Sequence, residues 1–171
     1  DPPSVRHALH GASVIVNLSA SDEITGKESY RRELLRIQSG RLVCGYIYAS
    51  AGEGESSTDL VFGGHHLICE NGMVLKESRR FRNETIYGEL DIERLQGERR
   101  RISTFAVKAD APEYVIVPYR MKELDLPLER HVDKAPFVPD GKEERAKRCE
   151  EILMIQAMGL KKRLEHTGCK S

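Results

Sequence analysis

Residues 12–42, ASVIVNLSASDEITGKESYRRELLRIQSGRL, decide the fold of this chain. The segment from Ser13 to Leu18 is short and almost wholly apolar, which is typical of a strand buried on both faces. A helix is predicted from about Lys27 to Leu42, because its apolar side chains fall on one stripe: Tyr30, Leu34, Leu35 and Leu42. We expect the opposite face to be solvated, with Arg31, Arg32, Glu33, Arg36 and Arg41. Residues 43–49 alternate and predict a second strand, and strand, helix, strand indicates an α/β fold with a layered sheet.

The polar loop between the first strand and the helix carries a candidate binding site. A strand ending near Ser19 would deliver the hydroxyls of Ser19 and Ser21 to a mouth that also holds the cation Lys27. Such a mouth suits a small zwitterion, because hydroxyl and amide oxygens accept hydrogen bonds from an α-ammonium while a lysine faces the α-carboxylate. From the residues alone, an ordinary strand end, turn and helix start explains the loop equally well.

The composition excludes some partners and favours others. The chain has 171 residues, 39% of them hydrophobic, which is enough apolar material for one domain core. Twenty-seven basic residues balance 27 acidic ones, so no net field attracts nucleic acid or an anionic membrane, and we expect neither as a partner. No run approaches the length of a membrane span. The start at Asp1 rather than methionine suggests a processed or excised piece.

Four cysteines bear on the compartment and on catalysis: Cys44, Cys69, Cys149 and Cys169. They lie far apart without CxxC pairing, which argues against a zinc ribbon and against a disulfide framework, so a reducing cytoplasm is the simplest setting. None has the sequence context that lowers a thiol pKa, and we expect each to be structural.

The remainder of the chain alternates between regular segments and polar loops. Residues 51–59, AGEGESSTD, predict an exposed or cleft-lining loop. Asn71-Gly72 between strand-like runs at 60–69 and 73–81 predicts a hairpin. Further predicted elements are a strand at 85–91, a charged helix at 92–103, a short strand at 114–117, and a long amphipathic helix at 141–166 capped by Gly168.

Three blocks of this sequence together resemble the glutaminase domain of glutamine-dependent NAD synthetases, a branch of the nitrilase (carbon-nitrogen hydrolase) superfamily. The blocks are residues 11–21 with residues 26–27 and 30–32, residues 48–65 (YASAGEGESSTDLVFGGH), and Glu70-Asn71-Gly72 with Leu75, Glu77 and Ser78. Residues 136–139 (PFVP), followed by a helix with Ile155-Gln156 and Gly159-Leu160, look like the junction to the family's synthetase domain. The middle third matches only in outline.

The resemblance implies half of a nitrilase-type α-β-β-α sandwich followed by a long C-terminal helix. Residues 1–104 would be the C-terminal part of the glutaminase domain, 105–139 a connector with a short strand, and 140–171 a linker helix toward an absent synthetase domain. Such enzymes are ligases that hydrolyse glutamine and pass the ammonia on for ATP-dependent amidation of nicotinic acid adenine dinucleotide to NAD⁺. ATP, Mg²⁺ and that dinucleotide are implied for the absent domain, and no cofactor for this chain.

The resemblance also assigns roles to residues. Ser21 and Lys27 would bind L-glutamine, although many relatives have arginine at the position of Lys27, so a forked grip on the carboxylate becomes a single ammonium contact. The nucleophilic cysteine, the general base and the catalytic lysine of the family come from segments upstream, so no catalytic residue is expected in this chain. Partners would be the complementary N-terminal half, the synthetase domain and copies of the same protein.

Other residues have two readings. Ser19, Glu53, Glu55 and Asp59 could line the pocket or a tunnel mouth, although loop solvation explains the acidic residues equally well. His65 and His66 are adjacent on a strand and point to opposite faces, so packing is favoured over metal ligation and no metal is expected. Tyr46 and Tyr48 fit either a core or a pocket wall.

Two other functions stay open at this point. The chain could be a non-catalytic nitrilase-like scaffold or oligomerisation module, or part of a nitrilase-family amidase with another substrate. A Cys-Glu-Asp elbow upstream of this chain would favour the enzyme, and its absence would favour the scaffold.

Overall fold

The computed structural model describes residues 2–55, 59–107, 114–132 and 134–168, so Cys169 and residues 56–58 of the predicted loop lie outside the described residues. The chain divides into two compact units, Asp1–Glu129 and Arg130–Ser171. The described residues form four helices and four strands: α1 (Pro3–Leu9), β1 (Val14–Ser19), α2 (Lys27–Leu42), β2 (Gly45–Ser50), β3 (Leu67–Glu70), β4 (Met73–Glu77), α3 (Ile92–Arg101) and α4 (Lys142–Thr167). The predicted mixed α/β class is confirmed at this level.

The strands of the first unit form one sheet in the order β1-β2-β3-β4. β1 and β2 pair in parallel with α2 as the crossover, whereas β3 and β4 add antiparallel neighbours. Parallel pairing brings the carboxyl ends of β1 and β2, at Ser19 and Ser50, to one edge of the sheet. β3 begins there at Leu67 and β4 ends there at Glu77. We call this end of the sheet the site edge.

One face of the sheet packs against α2 and α1. The buried cluster contains aliphatic, aromatic and thiol side chains: Ala8, Ile15, Leu35, Leu42, Cys44, Tyr46, Tyr48, Leu67 and Cys69. β1 contributes to it from one side only, because Val16 and Leu18, which point to the other face, are 61% and 81% exposed. The expectation that this strand is buried on both faces is therefore wrong within this chain, since β1 ends the strand order and α2 covers a single face.

α2 begins and ends as predicted, but it buries a different stripe. Arg31, Leu35, Ser39 and Leu42 face inward, at the spacing of one helix face. Tyr30 and Leu34, predicted to be buried, are 66% and 50% exposed. The expectation that Arg31 is solvated is wrong, because this arginine finds buried partners, described below, at the site edge.

The predicted Asn-Gly hairpin is present. Asn71 and Gly72 have φ of 44° and 86°, the positive pair that a tight two-residue turn requires. The turn rests on α2 by backbone contact, because a Cβ at Gly40 would lie 3.1 Å from the Cα of Gly72. Buried Ser39 fixes this contact by accepting a 3.0 Å hydrogen bond from the Gly72 N–H through its Oγ.

Four predicted strands are shorter or absent, and of the run at 73–81 only Met73–Glu77 is strand. Of residues 60–69, only Leu67–Glu70 is strand, because the chain before it runs along the loop after β1 and forms a single bridge from Phe62 to Asp22. Residues 85–91 and 114–117 have apolar and β-branched side chains but no strand pairing. Val115 and Ile116 are 90% and 86% exposed, so no packing holds that segment against a sheet.

The second unit contains α4, whose 26 residues end at Gly168 in the left-handed conformation, as predicted. None of its side chains is buried, although several are apolar. Among the described helices, including this one, none combines the length and apolarity that crossing a bilayer needs.

Arg99 of α3 joins three parts of the first unit. Its guanidinium donates to the carbonyl oxygens of Leu42 (3.0 Å), Val43 (3.0 Å) and Ala12 (2.8 Å), which lie at the end of α2 and before β1. The charge also lies over the Phe105 ring, 4.9 Å from its centroid. Burial lowers the pKa of Arg99 from its ordinary value, so these carbonyl contacts offset a desolvation cost.

We expect Arg99→Ala to lower the free energy of unfolding by about 2–5 kcal/mol, because three carbonyl groups lose their donor. Exposed Arg100 on the same helix supplies the matched control, and Arg100→Ala should change stability by less than about 0.5 kcal/mol. Urea denaturation measures both, and equal stability of the two variants would contradict the role of Arg99.

Candidate functional site

A cavity of about 310 Å³ opens at the site edge, between α2 and the sheet. Three of the residues predicted for the site line it together: Ser19, Ser21 and Lys27. Its apolar wall includes Tyr46 and Tyr48, which are also buried in the core, so both readings of these tyrosines hold. Asn17, also in the lining, donates to the Tyr46 hydroxyl at 3.3 Å.

Two of the three ammonium donors of Lys27 are used within the protein. Its Nζ donates to the backbone oxygen and to Oδ1 of Asp22, both at 2.7 Å. The hydrogen bond and the charge of Lys27 lower the pKa of Asp22, so Asp22 is a carboxylate at neutral pH. An ammonium has three donors, which leaves one of them for a carboxylate in the cavity.

The acidic loop lies apart from this cavity. Glu53 accepts a hydrogen bond from the Asn83 side chain at 3.1 Å, and Glu55 accepts one from the Gly52 N–H at 2.9 Å. Both side chains and Asp59 are exposed, and none of the three lines the cavity. The structure thus groups Ser19 with Ser21 and Lys27, and it does not bring Glu53, Glu55 and Asp59 to them.

Sequence reasoning missed a buried charge cluster beside the cavity. Arg31 and Glu23 form an ion pair in which each side chain is only 5% exposed. The second Glu23 oxygen accepts from Arg80 at 3.2 Å, and Arg80 also contacts Glu28 at 2.5 Å. A glutamate in a loop and an arginine on a charged helix are usually solvated. The one sequence signal for burial is that Arg31 lies on the same helix stripe as Leu35 and Leu42.

The other nitrogen of Arg31 binds His65, which is 1% exposed. Arginine only donates, so His65 Nδ1, at 2.9 Å from Arg31 Nη1, is an acceptor. The ring proton therefore sits on Nε2 and is donated to Glu77 at 2.8 Å. Partial burial by itself raises the pKa of Glu77, but the hydrogen bonds from Arg32 and His65 outweigh it, and the pKa lies below its ordinary value.

The cluster does not favour a metal ion. One oxygen or nitrogen from each of Glu28, His65 and Glu77 lies within 4.8 Å of the others. Each of the three is bound by an arginine, and three guanidiniums around three carboxylates balance the charge: Arg31, Arg32 and Arg80 against Glu23, Glu28 and Glu77. His66 faces elsewhere and accepts from the Ser50 N–H at 3.2 Å, so adjacent histidines have separate roles.

Cys44 and Cys69 offer no activated thiol to the cavity. Burial raises the pKa of Cys44 and of Cys69 to about 11, so both are neutral thiols at physiological pH. Both belong to the packed core, which supports the structural role predicted for them. Cys149 is exposed in the second unit.

No protein-family model matches the chain. A glutamine-dependent NAD(+) synthetase of Mycobacterium leprae (strain TN) is 40% identical over 172 residues, which cover 95% of this chain and 25% of the relative. The enzyme of the same description from Mycobacterium tuberculosis (strain ATCC 25618 / H37Rv) is 38% identical with the same coverage. The resemblance predicted from the sequence is confirmed, and the chain spans about a quarter of the length of the relatives it matches.

Two solved structures are similar to part of the chain. A glutamine-dependent NAD(+) synthetase from Cytophaga hutchinsonii is 31% identical, with a TM-score of 0.41, over 43% of this chain and 13% of its own. A glutamine-dependent NAD+ synthetase from Acinetobacter baumannii, solved with adenosine diphosphate, is 20% identical, with a TM-score of 0.44, over 46% of this chain and 15% of its own.

The lowered pKa of Glu77 predicts how its contribution to stability depends on pH. In the unfolded chain this carboxyl titrates near its ordinary value of 4.5, and in the folded chain it titrates below that value. The stabilisation is therefore complete above the ordinary value and is lost as the pH falls through the folded value.

We expect the difference in unfolding free energy between the wild type and Glu77→Gln to be constant above about pH 5 and to shrink below about pH 4. Urea titrations across that range measure it. A difference that grew on acidification would contradict the ion pairing of Glu77.

Proposed function

We propose that this chain is part of a glutamine-dependent NAD⁺ synthetase and supplies the glutamine-binding side of its glutaminase site. The observation that carries the proposal is the cavity at the site edge, which joins Ser19, Ser21 and Lys27 in a chain similar to these synthetases over 95% of its length. The parent would hydrolyse glutamine to glutamate and ammonia and use the ammonia for ATP-dependent amidation of nicotinic acid adenine dinucleotide.

The cavity chemistry suits a free amino acid. The remaining donor of Lys27 would bind the α-carboxylate, and the hydroxyls of Ser19 and Ser21 would accept from the α-ammonium. Asp22 already pairs with the Lys27 ammonium, so the α-carboxylate of an incoming amino acid gains only part of its charge attraction. The hydroxyls of Ser19 and Ser21 therefore contribute more to the selectivity for a free amino acid.

The reacting groups would come from outside this chain. Hydrolysis by a thiol needs a thiolate nucleophile, a base and a donor for the tetrahedral intermediate, and the neutral Cys44 and Cys69 do not qualify. We therefore assign the chain to half of a nitrilase-type α-β-β-α sandwich, with residues 1–104 in the glutaminase domain, 105–139 as connector and 140–171 as linker helix. The complementary half would add the nucleophile.

The glycine-containing loop at 52–54 does not fit the phosphates of ATP or of the dinucleotide. In the glycine-containing loop at 52–54, the N–H of Gly52 is already bound by Glu55, and two carboxylates would repel a phosphate. We therefore propose that ATP, Mg²⁺ and the dinucleotide bind in the synthetase domain of the parent. A cytoplasmic location is proposed for the parent, on the basis of the free thiols Cys44, Cys69 and Cys149.

In the intact synthetase, we expect Lys27→Ala to raise KM for L-glutamine at least about tenfold, because the carboxylate loses its cation, while ammonia-driven synthesis stays within about twofold. Exposed Lys76 on β4 provides the control, and Lys76→Ala should leave both nitrogen donors unaffected. Steady-state kinetics with each donor measures the effect. Equal loss with both donors would show that Lys27 is structural, and unchanged glutamine use would contradict the proposal.

The exposed sheet face predicts the behaviour of the chain alone. Val16 and Leu18 present an apolar surface on a strand at the end of the strand order, and such surfaces associate. We expect the isolated chain to bind the preceding half of its parent or to self-associate in analytical ultracentrifugation. Monodisperse monomers would contradict this. Glutaminase activity restored on mixing the two halves would exclude a scaffold role.

A further inference from the structure

The loop between Ser21 and Lys27 contains one buried side chain, which holds it in addition to the contacts of Asp22 with Lys27 and with Phe62. The neighbours of this side chain, Asp22 and Ile24, are largely exposed, at 43% for the Asp22 side chain and 61% for Ile24, whereas the Glu23 side chain is 5% exposed. The Glu23 backbone N–H also donates to the Val61 oxygen at 2.7 Å. The position of the loop therefore depends in part on where Glu23 is held.

Three contacts hold the Glu23 side chain. Arg31 binds one carboxylate oxygen and Arg80 the other. Its Cγ fits against Gly63, where an added Cβ would lie only 2.6 Å from that atom. Only glycine at position 63 leaves room for this arrangement, because the side chain is already fixed at its far end by two guanidiniums.

Arg31 in turn links the carboxylate to the cavity. Arg31 lines the cavity together with Lys27, which lies one helical turn earlier on α2. Its second nitrogen is bound by His65. With both nitrogens engaged, the guanidinium plane cannot turn without breaking a buried hydrogen bond.

We propose that Glu23 is a positioning residue for glutamine binding, held by Arg31, Arg80 and Gly63 so that Ser21 and Lys27 face the same cavity. This inference rests on the function proposed above and adds Glu23 and Gly63, neither of which lines the cavity. A metal site at Glu28, His65 and Glu77 is a weaker reading of the same cluster, because arginines already occupy the ligand atoms.

The test uses the intact synthetase with L-glutamine and with ammonia as alternative nitrogen donors. Glu23→Gln places an amide N–H₂ against Arg80 or Arg31, two donors facing each other, and should raise KM for glutamine about tenfold or more. The ammonia-driven rate and kcat at saturating glutamine should stay within about twofold. Glu33→Gln, an exposed carboxylate on α2 paired with Arg36, is the control and should change neither.

A second variant tests the position of the Glu23 side chain without altering any charge. Gly63→Ala displaces the Glu23 Cγ and should raise KM for glutamine in the same way, again with ammonia-driven synthesis preserved. It also serves if Glu23→Gln does not fold. Equal loss with both donors in these variants would assign Glu23 to general stability and overturn the inference.

The two proposals are separable by their outcomes. If Ser21→Ala and Lys27→Ala raise KM for glutamine while Glu23→Gln and Gly63→Ala do not, the positioning role is overturned and the binding site stands. If Ser21→Ala and Lys27→Ala leave glutamine use unchanged, the proposed function is overturned, and the positioning role with it.

Discussion

Parallel pairing of β1 with β2 is the constraint on which the other features of the first unit depend. Parallel neighbours need a crossover, and α2 supplies it, so the helix must cover one face of the sheet. The same pairing places the ends of both strands at one edge, where the loop with Ser21 must leave β1 and the start of α2 must bring Lys27 back. The position of the cavity therefore follows from the sheet topology, and the side chains then determine its chemistry.

The charge cluster beside the cavity fixes the structure of the site edge. Burying Arg31 and Glu23 costs desolvation, and the Coulombic gain of one pair often does no more than balance it. Here the neutral ring of His65 and the carboxylate of Glu77 occupy further hydrogen-bonding positions, so no described partner is left unsatisfied. Such a network favours one geometry over alternatives, which would be of more use to the proposed glutamine-binding loop than extra stability.

Local sequence signals predicted the elements that local physics determines. The ends of α2, the Asn71-Gly72 turn and the Gly168 cap follow from helix periodicity and from backbone conformations that those residues favour. The grouping of Ser19, Ser21 and Lys27 followed from their place after a strand. The buried partners of Arg31 were not predictable, because Glu23 lies in a polar loop and His65 is 34 residues distant in sequence. In the segment 114–117, Val115 and Ile116 are exposed and pair with no strand, which the β-branched composition does not reveal.

The tyrosines that wall the cavity belong to β2, which is hydrogen-bonded to β1 on one side and to β3 on the other. Amide groups in a doubly paired strand are the last to become accessible when a protein opens locally. A bound amino acid would therefore rest against the slowest-exchanging backbone in the unit, whereas the loop from Ser21 to Lys27 at the rim owes its position to side-chain contacts. Any adaptation to the ligand would then require breaking ion pairs at the rim, with the floor remaining rigid.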